Sequence, residues 1–122
     1  MLDKFENEAL PSILISQNIL SFNEVYYKEP ITRTIELENN GHVVAHFRFI
    51  PKLDDKHICK PWLKFRPAMG MLLPGDKVEL KITISIDNVS CAKLNSGADV
   101  LEDILILHLE NGKDHFVSML LT

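Results

Sequence analysis

Five histidines, two cysteines and several neighbouring carboxylates are the residues of this chain that could bind a metal or move a proton. His57-Ile58-Cys59 offers two ligands two residues apart, but no second pair at zinc-site spacing follows it. His42 and His46 stand four apart, a separation that aligns ligands on a helix, yet the residues around them predict a strand. Asp54-Asp55 falls in a charged, solvated stretch. Glu102-Asp103 lies in a predicted strand, where neighbours point to opposite faces and cannot share a proton. Two carboxylates facing each other across a pocket, as glycoside hydrolysis needs, are not indicated. No Gly-x-Ser-x-Gly elbow frames a serine, and the five glycines sit in turns or loops rather than in a phosphate-binding loop. The sequence therefore predicts no catalytic residue, no metal site and no cofactor. Trp62, the single tryptophan, reads either as a core plug or as a ligand platform.

The bulk properties narrow the partners. Thirteen Lys and Arg against 17 Asp and Glu give a formal net charge of −4, which provides no overall electrostatic footprint for nucleic acid or anionic lipid. With 46% hydrophobic and 25% charged residues, the 122-residue chain has the composition of one globular domain. Its longest apolar runs, Met69–Leu73 and Ile104–Leu107, are far short of a membrane span, and no insertion into a bilayer is expected. The start, Met1-Leu2-Asp3-Lys4-Phe5-Glu6, is too polar for a signal peptide and predicts a cytoplasmic protein. There Cys59 and Cys91 are expected as reduced buried thiols, although the count also permits one bridge. A monomer is expected.

Turn signals cut the chain at short intervals: Asn39-Asn40-Gly41, Pro51, Pro61, Pro67, Pro74-Gly75-Asp76, Ser96-Gly97 and Asn111-Gly112. Between them the pattern has period two. Val78, Leu80, Ile82, Ile84 and Ile86 alternate with Lys77, Glu79, Lys81, Thr83 and Ser85, which describes a strand with one face in a core. Ile31, Arg33, Ile35 and Leu37 repeat the pattern. Ile104–Leu109 is a more continuous apolar run and predicts a strand covered on both faces. Asn111-Gly112 predicts a hairpin between Asp103–Leu109 and His115–Leu121, and Asn40-Gly41 another between Ile31–Glu38 and Val43–Ile50. Pro74-Gly75 suits the centre of a type II turn. Polar Lys52–Lys60 is a loop or crossover.

Only Leu2–Leu10 has helical spacing, with Leu2, Phe5 and Ala9 on one side, before Pro11 ends it. A helix that short must dock, through Phe5, or fray. The sum is about seven to nine short strands in an all-β, immunoglobulin-like antiparallel sandwich over residues 12–122, preceded by a helix remnant over 1–11. Periodicity does not decide whether Phe116 faces the core or solvent.

Several blocks resemble one known family in order and spacing. They are Leu2-Asp3-Lys4-Phe5-Glu6-Asn7, Leu10-Pro11-Ser12, Asn39-Asn40-Gly41-His42-Val43, Phe49-Ile50-Pro51-Lys52-Leu53-Asp54-Asp55 and Cys59-Lys60-Pro61-Trp62-Leu63. Leu94-Asn95-Ser96-Gly97, Glu102-Asp103-Ile104-Leu105, His108-Leu109, Gly112-Lys113-Asp114 and Phe116 complete the match. Together they are similar to the ASH domain of the type II inositol polyphosphate 5-phosphatases.

The resemblance implies an immunoglobulin-like domain from a larger enzyme, set between a catalytic 5-phosphatase domain and a RhoGAP-like domain and itself without phosphatase activity. It implies binding of GTP-loaded Rab GTPases by one strand and the leading helix, which recruits the parent enzyme to endosomal, Golgi or ciliary membranes. Phe116 and Asn39 match the family's Rab-contact positions, and Leu2 and Phe5 would contribute from the helix. Ala98 and His115 depart from the pattern, where an acidic residue and a tyrosine are usual. Phe116 is then expected as an exposed aromatic anchor. Asn39 would either orient the adjoining edge or hold its own turn. The rival expectation is a spacer that orients the flanking domains, with no reason to expose an apolar patch.

Overall fold

The alternation at Lys77–Ile84 builds strand β7, whose Leu80, Ile82 and Ile84 are fully buried while Lys77, Glu79 and Lys81 face solvent. Eight consecutive residues of β3 (Ile31–Glu38) pair antiparallel with it, from Ile31 opposite Ile84 to Glu38 opposite Lys77. In this computed structural model, which describes residues 10–22, 29–87, 92, 96–97 and 102–121, these two strands are the centre of one sheet. Its edges are β1 (Leu14–Ile15) and β5 (Leu63–Arg66), giving the order β1-β3-β7-β5.

The second sheet has the order β2-β9-β8-β4-β6. It contains β2 (Ile19–Phe22), β4 (Ala45–Ile50), β6 (Met69–Leu72), β8 (Glu102–Leu109) and β9 (Asp114–Leu121). The two sheets close over a core that includes Trp62, Phe22, Leu37, Ile82, Leu105, Leu107 and Met119. Phe49 of β4 and Phe65 of β5 meet edge to face at 4.7 Å between ring centres, a contact that joins the two sheets. Trp62, 1% exposed, is the core plug and not a platform.

Three details differ from the pattern read in the sequence. First, β3 and β4 are not a hairpin: they belong to different sheets, and Asn40-Gly41 turns the chain from one to the other. The Pro74-Gly75 turn also changes sheets, from β6 to β7. It has the predicted type II character, with Gly75 at φ 89° and Asp76 N–H donating to Leu73 O at 2.9 Å. Second, the sandwich is not wholly antiparallel, because β2 runs parallel to β9. Third, β8 is not covered on both faces. Leu105, Leu107 and Leu109 are buried, but Ile104 is 41% exposed and Ile106 half-buried on the open side.

The β8–β9 hairpin forms as expected, with the positive φ on Asn111. Arg33 occupies an inward position in the alternation yet is exposed, its guanidinium 5.6 Å from the centre of the Phe22 ring. Leu2–Ala9 of the expected helix remnant lies outside the described residues.

Burial along β7 gives a direct test of the architecture. Ile82→Ala should cost ~2–5 kcal/mol of stability, whereas Lys81→Ala, one residue away on the solvent face, should stay within about 0.5 kcal/mol of neutral. Urea titration of both variants measures the difference, and equal losses would contradict the half-buried strand.

Candidate functional site

Among the described residues, outward-facing side chains of the five-stranded sheet form a face where exposed apolar groups gather by register. Ile50 of β4 stands opposite Ile106 of β8, and Ile106 opposite Phe116 of β9, so the three lie in one row across the sheet. The next row sets Ile104 opposite Ser118 and Ser118 opposite Ile19 of β2, and Leu120 follows beside it. Phe116 is 56% exposed and Ile19 60%. The base of the Phe116 ring is held by the β8 ladder, and the β2 ladder begins two residues further on at Ser118.

Two shallow grooves flank the rows. One, of about 560 Å³, runs between the Ile13–Asn18 segment and Phe116; the other, of about 390 Å³, has Ile104 and Leu120 on its floor and Lys52 and Lys60 at its border. Apolar side chains exposed next to one another in this way make the face a candidate site for contact with another macromolecule. Sequence reasoning found Phe116 through the family pattern alone. It missed Ile19, Ile104, Ile106 and Leu120; the apolar run Ile104–Leu107 was a signal for Ile104 and Ile106, and no such run marked the other two.

Asn39 is placed very differently. It is 1% exposed, at the end of β3, and its carboxamide is spent within the chain. Nδ2 donates to Val43 O at 2.9 Å and to Leu72 O at 2.8 Å, while Oδ1 accepts from Gly41 N–H at 2.9 Å. Its backbone N–H donates to Asp76 O and its carbonyl accepts from Gly75 N–H, both at 2.9 Å. Of the two roles open to Asn39, this geometry supplies the turn-holding one. It offers no free atom to a partner in this conformation. Leu2 and Phe5 lie outside the described residues, as do Tyr26, Tyr27, Cys91 and Ala98.

A second buried polar node closes the opposite crossover. The Asp103 carboxylate accepts from Lys52 Nζ at 2.7 Å and from the backbone N–H groups of Lys60 and Ile104 at 2.8 Å. That fastens the Lys52–Lys60 loop to β8, and Glu102 on the other face is exposed. Cys59, half-buried, is a free thiol that donates to Leu63 O at 3.2 Å; burial pushes its pKa up, with the Asp103 charge adding to the effect. A raised pKa keeps it a poor nucleophile.

The histidines stay apart. His108 Nδ1 lies 2.7 Å from Asp114 Oδ1, and burial holds His115 below the ordinary imidazole range against the opposing pull of Asp114. Among the described residues no group of three or more His, Cys, Asp or Glu is placed to hold a metal.

Two sheets of four and five strands define an immunoglobulin-like fold of the MSP, ASH and PapD-like class. The chain is similar to WR4, an MSP family member of C. elegans, with a TM-score of 0.61 at 9% identity over 90% of this chain and 97% of that one. It is also similar to the seventh PapD-like (ASH) domain of human CEP192, with a TM-score of 0.58 at 13% identity over 89% of this chain and 81% of that one.

The family model for the inositol polyphosphate 5-phosphatase OCRL-like ASH domain matches residues 15–121, and the chain belongs to that family. A mouse relative, type II inositol 1,4,5-trisphosphate 5-phosphatase, is 42% identical over 97% of the chain, which spans only 12% of that relative's length. The ASH domain is a protein-interaction domain of such enzymes, and the catalytic domain is not contained in these residues.

Asn39→Ala should strip one buried carbonyl, one part-buried carbonyl and one part-buried N–H of their partner and cost about 1–3 kcal/mol. Its folded fraction should bind any partner of the apolar face as the unaltered chain does. Chemical denaturation and a binding titration on one preparation check both statements, and a binding loss exceeding the unfolded fraction would make Asn39 a contact.

Proposed function

We propose that this domain binds Rab GTPases in the GTP state through the face centred on Phe116 and thereby brings a phosphoinositide 5-phosphatase to Rab-bearing endosomal, Golgi or ciliary membranes. The observation that carries the reading is the exposure of Phe116 in a row with Ile50 and Ile106, on a strand whose alternate residues Val117 and Met119 are buried in the core. Membership of the ASH domain family of inositol polyphosphate 5-phosphatases supports it. The mechanism is recognition of shape. Switch segments of a GTPase are ordered around the γ-phosphate and released on hydrolysis, so only the loaded form presents a fixed apolar surface. A rigid aromatic ring seated against that surface converts nucleotide state into affinity.

A spacer that merely orients flanking domains is the competing role. The apolar rows favour the binding reading, because a spacer gains nothing from leaving Phe116, Ile104 and Ile19 in water.

Phe116→Val removes the ring and leaves a residue suited to a strand. Melting temperature should change little, while affinity for the GTP-loaded Rab should fall by ~2 kcal/mol or more. Calorimetric titration of GTP-loaded and GDP-loaded Rabs against both forms is the measurement. A variant that melts early, but whose folded fraction binds normally, would refute the anchor.

A further inference from the structure

The outer face of the four-stranded sheet is divided by charge. At one end Glu36, Glu38 and Glu79 surround Lys77, whose Nζ lies 3.8 Å from Glu36. At the other, Lys64 stands opposite Thr83 and Thr83 opposite Thr32, and in the adjoining row Arg66 stands opposite Lys81 and Lys81 opposite Thr34. Lys64, Arg66 and Lys81 border an open concavity of about 570 Å³ together with these threonines and Phe65. Among the described residues no carboxylate comes within ion-pair distance of any of the three cations.

Two like charges directly across a strand pair destabilise a sheet. Guarding an exposed edge against pairing explains charges on β5, which is an edge strand. It does not explain Lys81, which sits on the interior strand β7 and faces Arg66. The arrangement calls for anionic oxygens from outside the chain. Arg offers a planar fork to phosphate, the lysines add point charges, and the threonine hydroxyls can donate.

We propose that the Lys64–Arg66–Lys81 face is a phosphate-binding surface that rests on an anionic membrane. An enclosed small-molecule site would bury most of its ligand, and this face is open. An extended acidic peptide would dock by adding a strand to β5, but that strand is four residues long and lies between Pro61 and Pro67. Cations ~5 Å apart across strands and ~7 Å apart along them fit a plane carrying many headgroups. The net charge of −4 does not oppose this, because at physiological salt fields fade within about 8 Å and the local cations dominate. The face belongs to the sheet opposite the one carrying Phe116, so the two surfaces can be occupied together and neither proposal depends on the other.

The test is co-sedimentation of the 122-residue chain with phosphatidylcholine vesicles, with and without roughly 30% phosphatidylserine. Binding is expected only with the anionic lipid and should disappear when salt is raised from about 0.1 M to about 1 M. Lys64→Glu, Arg66→Glu and Lys81→Glu should each lower binding about five-fold or more, and the neutral Lys81→Gln should lie between. Lys77→Glu, at the acidic end of the same face, should leave it unchanged. Unaltered melting of each variant keeps the reading clean. Equal binding to neutral vesicles, an equal loss in Lys77→Glu, or capture of soluble polyglutamate without binding to anionic vesicles would overturn the proposal.

Discussion

Five hydrogen bonds to Asn39 hold together the end of the sandwich where the chain twice changes sheets. The β3–β4 connection and the β6–β7 turn pass on either side of this residue, and its side chain and backbone bond to both. Neither connection is a hairpin, so no strand ladder spans it, and the carboxamide supplies the pairing that the ladder would otherwise give. A buried amide group left unpaired costs more than a made bond contributes. The site therefore tolerates few replacements. Asp103 performs the corresponding task for the β4–β5 crossover, with a charge where Asn39 has a dipole.

With both crossovers fixed, the two sheets are set in register and their outer faces become stiff platforms of different chemistry. One displays isoleucines, Leu120 and Phe116; the other displays cations and threonines. Exposed backbone strands paired on both sides lose little freedom when something docks on them, which lowers the ordering cost of association. Gly70 shows how closely the framework is filled: a methyl group there would stand 2.8 Å from the Phe47 ring.

Much of this was legible in the sequence. Period-two alternation marked β3 and β7, Asn111-Gly112 marked the β8–β9 turn, and Pro74-Gly75 announced its turn type. What the pattern could not supply was the destination of each turn. Asn40-Gly41 has the chemistry of a turn whether the next strand pairs with the last or crosses to the other sheet, and here the turn is held by the Gly41 N–H bond to Asn39 Oδ1, with neither residue at positive φ. The run Ile104–Leu109 was read as covered on both sides, since burial is the usual reason for isoleucines on one face of a strand and leucines on the other. Here one face is open, and the surplus apolar residues Ile104 and Ile106 lie on that face and not in the core. Phe116 was undecided for a related reason: β9 carries apolar groups on both faces, and only its register with Ile106 fixes the side.

The parallel pairing of β2 with β9 has a mechanical meaning. Both strands run the same way, and Ile19–Phe22 pairs along Ser118–Leu121, a ladder of four residues and roughly 10 Å at the exit end of β9. Pro11, whose carbonyl approaches Gly112, marks the entry pole beside the β8–β9 turn. Tension applied between Ile19 and Leu121 would load the β2–β9 hydrogen bonds side by side, in shear, instead of opening them one after another like a zip. The ladder is in that sense a tie that resists a pull along its strands while both outer faces of the sandwich stay open.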